Sequence, residues 1–272
     1  EAWLAGSRAG QLHVDGHADL GFPLFGDTVQ LAATAFFHRS APSFYMNQYY
    51  GKHYMWDNNL SQEIHSRILG EFSLQKMRTK LRVGYDVLKN YTYFGIQNDR
   101  VRSGDNYLVQ HNDLNVRQSS SPISLLTLQL QQDFRLGIFN WQNVLTLQKS
   151  SKDDILPVPI FNAYSNLFLR FKVARVLDVD LGVDGRYFTS YYAPEYIPGI
   201  GAFGIQETEA SRTKIGNYPH LNAYANFQLQ HTRFFIMFTH VNSGEGGKYF
   251  YTPHYPLNQR VLQFGISWNF FN

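Results

Sequence analysis

Three residues near the start of the chain could together bind a metal ion. His13, Asp15 and His17 occupy alternate positions, so in a β-strand all three would project from one face. Imidazole and carboxylate groups suit zinc, but a closed site needs a fourth ligand, and none stands at a recognisable spacing nearby. The alternative is an ordinary polar strand face that happens to contain histidines. We therefore expect no resident metal and no cofactor.

Catalytic chemistry has no local motif in this sequence. Ser, His and Asp are plentiful, but the pattern G-x-S-x-G of a nucleophile elbow does not occur. The chain has no Cys, which excludes disulfides and thiolate metal sites. A hydrolase site assembled from distant strands would not be visible in sequence spacing. We expect a protein that is not an enzyme.

A larger set of polar and charged side chains recurs at every second position of the predicted strands. Such side chains could line the water-filled interior of a barrel, where rings of charge set ion preference. Both signs occur, which predicts weak selectivity, and the alternative is a salt-bridged interior that conducts nothing. The candidate lumen-lining residues are Lys80, Arg82, Asp86, Gln129, Gln131, Arg170, Lys172, Asp180, Asp184, Arg186, Asn222, Asn226 and Gln228.

The last residues of the chain form the clearest element that could position such a face. Apolar and aromatic residues alternate with Gln263, Gly265, Ser267 and Asn269, which gives a strand one apolar and one polar face. An aromatic-rich terminal strand resembles the signal that barrel-assembly machinery reads, although this chain ends in Asn272. The alternative is an ordinary barrel strand. The candidate signal residues are Phe264, Ile266, Trp268, Phe270 and Phe271.

The same alternation recurs upstream and predicts about eleven strands, each close to the ~10 residues of a tilted membrane-spanning strand. Examples are residues 12–20, 126–131 and 221–229. Aromatic residues make up 16% of the chain, and rings such as Tyr favour membrane interfaces. Charged residues make up only 17%, below the ~25% of typical soluble domains. The net charge of +3 is too small to indicate a nucleic-acid partner.

A membrane location would require a barrel. The longest apolar run, residues 234–238, is far shorter than the ~20 residues of a spanning helix. Only helices and closed barrels satisfy every backbone group in lipid. The chain also starts without a signal peptide, which an outer-membrane protein would have lost, so we expect a mature or partial sequence.

The predicted connections alternate between short and long, which is the layout of an outer-membrane barrel with periplasmic turns and extracellular loops. We expect the loops 91–121 and 190–216 to narrow the barrel mouth. The long loops are rich in Tyr, Pro, Gly and Asn. Their aromatic rings could stack on sugars or other ligands, or they could simply pack on one another and on lipopolysaccharide.

Several stretches spread along the chain combine aromatic, Gly, Pro and polar residues at fixed spacings. They are Pro42, Phe44, Tyr50, His53, Trp56 and Asn58; Gly182, Val183, Asp184, Arg186, Tyr187 and Phe188; Tyr192, Tyr196, Pro198, Phe203 and Gln206; Gly216, Asn217, Tyr218 and Pro219; and Gly265, Ile266, Ser267, Trp268 and Phe270. Together these stretches resemble the putative porin family of Bacteroidetes outer-membrane proteins. The resemblance implies an outer-membrane β-barrel with a porin-like activity, and it implies that this chain is the C-terminal part of a larger barrel.

These patterns predict an all-β protein, an antiparallel transmembrane β-barrel with eleven to twelve strands in a single domain over residues 1–272. The predicted function is a channel in the bacterial outer membrane for passive diffusion of small polar solutes or ions. The alternative is a non-conducting structural or interaction barrel in an outer-membrane protein complex. The expected partners are outer-membrane lipid and lipopolysaccharide, the barrel-assembly machinery and the proteins of such a complex.

Overall fold

A computed structural model describes residues 1–6, 9–24, 26–103, 106–244 and 249–269. For residues 99–103 and 106–112 it describes the backbone alone. Strands dominate the described chain, which confirms the predicted all-β class. Among the described residues, no helix has the length and the apolar character to span a membrane.

One antiparallel sheet of eleven strands forms the body of the protein, and it contains the number of strands that the alternation predicts. Each inner strand pairs with the spanning strands before and after it along the chain, and the first and last strands have one such partner each. The strands, in sheet order, are β1 (Leu12–Leu24), β2 (Asp27–Ser40), β5 (Glu63–Leu74), β6 (Thr79–Lys89), β9 (Ile123–Leu136), β10 (Phe139–Ser150), β11 (Phe161–Val173), β12 (Leu177–Phe188), β15 (His220–Leu229), β16 (Thr232–Thr239) and β19 (Val261–Trp268).

The remaining elements lie in the long connections between these strands. A second sheet of four strands has the order β13-β14-β7-β8, and β3-β4 and β17-β18 are small separate hairpins. These elements are α1 (Phe44–Asn47), β3 (Gln48–Tyr50), β4 (Met55–Asp57), β7 (Thr92–Ser103), β8 (Asn106–Gln118), β13 (Glu195–Ile197), β14 (Ala202–Gln206), a 3-10 helix (Glu209–Ser211), β17 (Phe250–Thr252) and β18 (Tyr255–Pro256).

Short and long connections sort to opposite ends of the sheet, as predicted. The short connections are 25–26, 75–78, 137–138, 174–176 and 230–231. The long ones are 41–62, 90–122, 151–160, 189–219 and 240–260. Alternation predicts short turns near 21–27, 75–78, 134–138, 174–177 and 230–233, so most strands extend further into the turns than predicted, because hairpin pairing continues through residues with no clear alternation. The 90–122 connection holds a long hairpin of its own, β7 and β8, within the segment 91–121 that the sequence predicts only as a long loop.

The two faces of the main sheet differ in character. Large apolar side chains on one face stay exposed instead of packing into a core, among them Leu20, Ile68, Tyr85 and Leu167. A contiguous exposed apolar surface of this size is rare on a soluble monomer. Neighbouring strands pair in continuous antiparallel register, as the backbone of a sheet in lipid requires. This face is therefore the membrane-facing side of a transmembrane sheet.

The sheet is open between its first and last strands. In the part of the chain that the structure describes, β19 pairs with β16 alone, and the terminal strand does not close on β1. The outer edge of β1 is met at one end by residues 1–3: the Trp3 amide donates to the Gln11 carbonyl at 3.1 Å, and the His13 amide donates to the Glu1 carbonyl at 2.8 Å. Backbone groups along both edge strands are thus available to further strands.

Candidate functional site

The strand register places all thirteen candidate lumen-lining residues on the same face of the main sheet, opposite the exposed apolar face. Directly paired residues share a face, and successive residues of a strand alternate between faces. Lys80 pairs with Gln131, and Arg170 pairs with Asp180, which pairs in turn with Asn226. We call this side of the main sheet the polar face. That it lines an open lumen remains a prediction.

Charges on the polar face are mostly matched across neighbouring strands. Glu71 lies opposite Arg82, and its carboxylate accepts from Arg82 Nε at 2.6 Å and from Lys80 Nζ at 2.8 Å. Arg170 binds Asp180 through two hydrogen bonds of 2.8 Å. Directly opposed strand residues have close Cβ atoms, so these pairs form without strain. Most charges of the polar face are therefore in ion pairs, as in the salt-bridged interior that the sequence leaves open as the alternative to an open lumen.

Asp86 is the most deeply buried of these charged groups. Its side chain is 3% exposed, and its Oδ1 accepts from Arg67 Nε at 2.6 Å and from His65 Nε2 at 2.7 Å. Its Oδ2 is buried without a protein partner among the described residues. A buried carboxylate requires compensating donors, which Arg67 and His65 supply from the adjacent strand β5.

The other candidate residues have individual partners. The Asn222 amide donates to the buried Asp184 carboxylate at 3.0 Å, and Arg233 donates to Asn226 at 3.0 Å. The remaining contacts are Lys172 with Asp178 at 3.2 Å, Gln129 with Arg82 at 3.3 Å, Gln228 with the Gln230 carbonyl at 2.6 Å, and the Arg186 guanidinium over the Tyr164 ring at 5.7 Å.

The histidine motif of β1 does not converge on one point. His13 Nε2 lies 2.8 Å from the Ser40 hydroxyl, Asp15 binds His38 at 2.8 Å, and His17 lies 3.2 Å from the Thr34 hydroxyl. Each side chain thus has its own partner on β2. The described residues contain no group of three or more His, Cys, Asp or Glu side chains placed to hold a metal. This geometry fits the interpretation of the motif as an ordinary polar strand face that contains histidines.

The apolar face of the terminal strand is strongly exposed. Phe264 is 78% exposed, Ile266 69% and Trp268 61%, so the side chains are presented to the surroundings. Phe270 and Phe271 lie outside the described residues. Exposure suits either lipid contact or recognition during assembly, and the recognition role stays a prediction.

The long connections pack against one another into a second compact unit. Its core contains Trp56, Phe94, Ile96, Leu114 and Ile197, which are all buried. They come from three different connections, 41–62, 90–122 and 189–219. We call this unit the loop layer. Its core confirms that the aromatic loops pack together, one of the two alternatives that the sequence leaves open.

Hydrogen bonds tie the parts of the loop layer to each other. Strand β14 pairs in parallel with β7, which joins the two loops expected to narrow the mouth into a single sheet. The Tyr45 hydroxyl donates to the Ile200 carbonyl at 3.0 Å, and the Thr252 hydroxyl donates to the Pro194 carbonyl at 2.6 Å. Arg117 holds Glu207 through two contacts of 3.2 Å, and this ion pair raises the pKa of Arg117. The loop layer is therefore held together by hydrogen bonds and an ion pair as well as by its apolar core.

Sequence reasoning missed several members of the polar face. Arg67, Glu71 and Asp178 form its ion pairs but were absent from the predicted set. Their alternation with apolar residues is the same signal that identified Arg82 and Asp180, and applying it evenly to β5 and β12 would have found them. The partner of each charge could not be predicted, since that requires the register.

Comparison with known proteins supports the outer-membrane assignment. No curated protein matches the chain. Two solved structures share its fold: the siderophore receptor PirA from Acinetobacter baumannii, with a TM-score of 0.57 and 12% identity, and a mutant of the ferric enterobactin receptor PfeA from Pseudomonas aeruginosa, with a TM-score of 0.53 and 15% identity.

The matches cover 93% and 85% of this chain but only 40% and 35% of the two receptor chains. At such low identity the likeness concerns the fold, that of an outer-membrane barrel. Residues 1–272 match the family described as "Putative porin" over the whole chain. The protein is thus a β-barrel protein of the bacterial outer membrane, and the chain belongs to the putative porin family.

Proposed function

We propose that the protein forms a porin-like channel for passive diffusion of small polar solutes or ions. The observation that carries this proposal is the polar face, which runs across the main sheet opposite the membrane-facing side and is interrupted on β16 by Phe235 and Met237. A water-filled pore requires such an interior, whereas the lipid side requires the apolar one. Because the charges of the polar face are mostly paired, the proposed channel discriminates only weakly between ions.

The width of the sheet supports an open interior. Side chains alone fill a barrel of about eight strands, and wider barrels leave space for water. Eleven strands already exceed that number, and both edges of the sheet can accept more. We propose that the sheet is an arc of a larger barrel, which fits the partial coverage of the two receptor chains. The loop layer would then narrow its extracellular mouth.

Single-channel recording in planar lipid bilayers tests the channel. The full-length protein, with folding verified by heat-modifiable gel mobility, should give discrete current steps that rise linearly with voltage. Replacing Trp56 by Ala loosens the loop layer and should raise or destabilise the conductance level. A folded protein that gives no current steps contradicts the proposal.

A second candidate is an interaction barrel within an outer-membrane complex. The loop layer favours it, because Phe44, Tyr50 and Met55 are well exposed on an otherwise compact surface. Exposed apolar groups on a rigid unit are typical of protein contact sites. Purification in mild detergent separates the candidates: stoichiometric partner proteins would favour the complex, and a monomer or a self-oligomer would favour the channel.

A further inference from the structure

A cavity of about 730 Å³ lies on the polar face at the loop end of the sheet. Its walls are the ends of β12, β15, β16 and β19, together with the connections 189–219 and 240–260. The volume falls within the usual range of small-molecule sites, ~300–1,000 Å³.

Two cations and no acid are among the described residues that line the cavity. Arg186 and Lys214 contribute to its wall, and none of the described lining residues is Asp or Glu. Lys214 Nζ lies 4.8 Å from the centre of the Tyr192 ring, and the Arg186 guanidinium lies over the Tyr164 ring. Neither cation is in a salt bridge with an acid in the part of the chain that the structure describes. Asp184, the nearby acid, is buried and accepts from Asn222. An unpaired guanidinium and an ammonium in one concave site attract a carboxylate.

A fixed aromatic wall faces the same space. The rings of Tyr218 and Tyr249 stack with their centres 3.4 Å apart and an angle of 15° between planes. The Tyr218 hydroxyl lies 2.8 Å from His240 Nε2, and His240 Nδ1 lies 2.6 Å from the Asn258 carbonyl. These contacts hold the stack in place before any ligand arrives. A rigid aromatic surface suits the flat, apolar face of a ring.

We propose that this cavity binds a small sugar acid, of the hexuronate type. The carboxylate would pair with Arg186 and Lys214, and the sugar face would lie against the aromatic wall. Polar lining side chains such as His220 and Gln263 match the ring hydroxyls, whereas a planar aromatic acid would leave them unpaired. The proposal goes beyond the channel, because binding at the mouth does not require conduction.

Isothermal titration of the folded, full-length protein in detergent tests the site, with glucuronate as the probe. Glucuronate should give a saturable heat, and glucose, which lacks the carboxylate, should bind at least about tenfold more weakly. Arg186→Gln and Lys214→Gln should each weaken glucuronate binding by about tenfold. Lys214 lies in a connection between strands, so its variant leaves the sheet intact.

Arg135→Gln is the matched control, since Arg135 lies on the polar face at the opposite, short-turn end of the sheet. It should leave glucuronate binding unchanged. Absence of glucuronate binding, equal binding of glucose, tighter binding of benzoate, or equal loss in the Arg135 variant would each overturn the proposal. Bilayer conductance is measured separately, so a channel that conducts without binding glucuronate refutes the sugar-acid site alone.

Discussion

Replacing Asp86 by Asn tests whether the ion pairs of the polar face hold the sheet together. The substitution keeps the shape of the side chain and removes its charge. In the wild-type protein the carboxylate is 3% exposed and accepts from Arg67 Nε at 2.6 Å and His65 Nε2 at 2.7 Å. The variant leaves Arg67 without its carboxylate at this position.

The expected loss in the free energy of unfolding depends on how deeply each side chain of the Asp86–Arg67 pair is buried. Breaking a fully buried ion pair costs about 3–5 kcal/mol, because the remaining charge is uncompensated. Here the Arg67 side chain is 42% exposed, so water can solvate part of the guanidinium, and Asn keeps one acceptor. We therefore expect Asp86→Asn to lower the free energy of unfolding by about 2 kcal/mol.

Asp180→Asn is the matched control. The Arg170–Asp180 pair is also directly cross-strand, but the Arg170 side chain is 54% exposed and the Asp180 side chain 24%. An exposed pair contributes less than about 1 kcal/mol. Urea titration in detergent micelles, followed by tryptophan fluorescence, measures both variants. Equal losses in the two variants, or a larger loss in the Asp180 variant, would refute the link between burial and stability on this face.

Three further substitutions test the other parts of the structure. Phe264→Arg places a charge on the membrane-facing side of β19. If that position lies near the bilayer centre, the variant should lower the free energy of unfolding in lipid vesicles by about 2–4 kcal/mol. Gln263→Arg, on the polar face, should lower it little. Gly182→Ala should lower stability by about 1–3 kcal/mol in the same assay, because an added Cβ would lie 2.6 Å from the Tyr224 ring; a stable variant would mean that this close approach is absent. Trp56→Ala should increase protease cleavage within the loop layer while the main sheet keeps its circular dichroism spectrum, and unchanged cleavage would show that this core does not hold the loops.

The strand pattern could be predicted from sequence because alternation is a local property. Nearly every spanning strand shows it within about ten residues, and the least clear is residues 233–242, which are apolar on both faces; the count of about eleven follows from the pattern, and the sheet has eleven strands. The cross-strand partner of each side chain cannot be predicted in the same way. Arg67 and Asp86 lie 19 residues apart, and their contact depends on the register of a hairpin that alternation does not fix.

The loop layer was predictable only in outline. Its aromatic content indicates packing, but the pairing of β14 with β7 joins segments roughly a hundred residues apart in sequence. The hairpin of β7 and β8 carries a register shift between Asp99 and Arg100, which breaks the alternation that marks other strands. Contacts of such long separation arise from packing in three dimensions, and no local motif encodes them.

The distribution of charge indicates where ion preference would arise in a conducting barrel. Arg170 and Lys172 each face a carboxylate on the next strand, so along most of β11 and β12 the charges cancel. Arg186 is different, because its cross-strand neighbours are Tyr164 and His220. Arg186 therefore supplies a positive charge without an ion-pair partner at the loop end, beside the mouth that we propose the loop layer narrows, where a fixed charge acts most strongly on entering ions.

This arrangement predicts a weak preference for anions that depends on Arg186. Under a gradient of KCl across a planar bilayer, the reversal potential of the wild-type protein should lie on the anion side of zero, and Arg186→Gln should move it toward zero. High salt should diminish the difference, because the Debye length shortens to ~3 Å at 1 M. Lys89→Gln, in which the exposed Lys89 lies at the same end of β6 but on the membrane-facing side, should leave the potential unchanged. If removal of Arg186 has no larger effect than removal of Lys89, the mouth does not set the preference, and the paired charges of the sheet must be responsible instead.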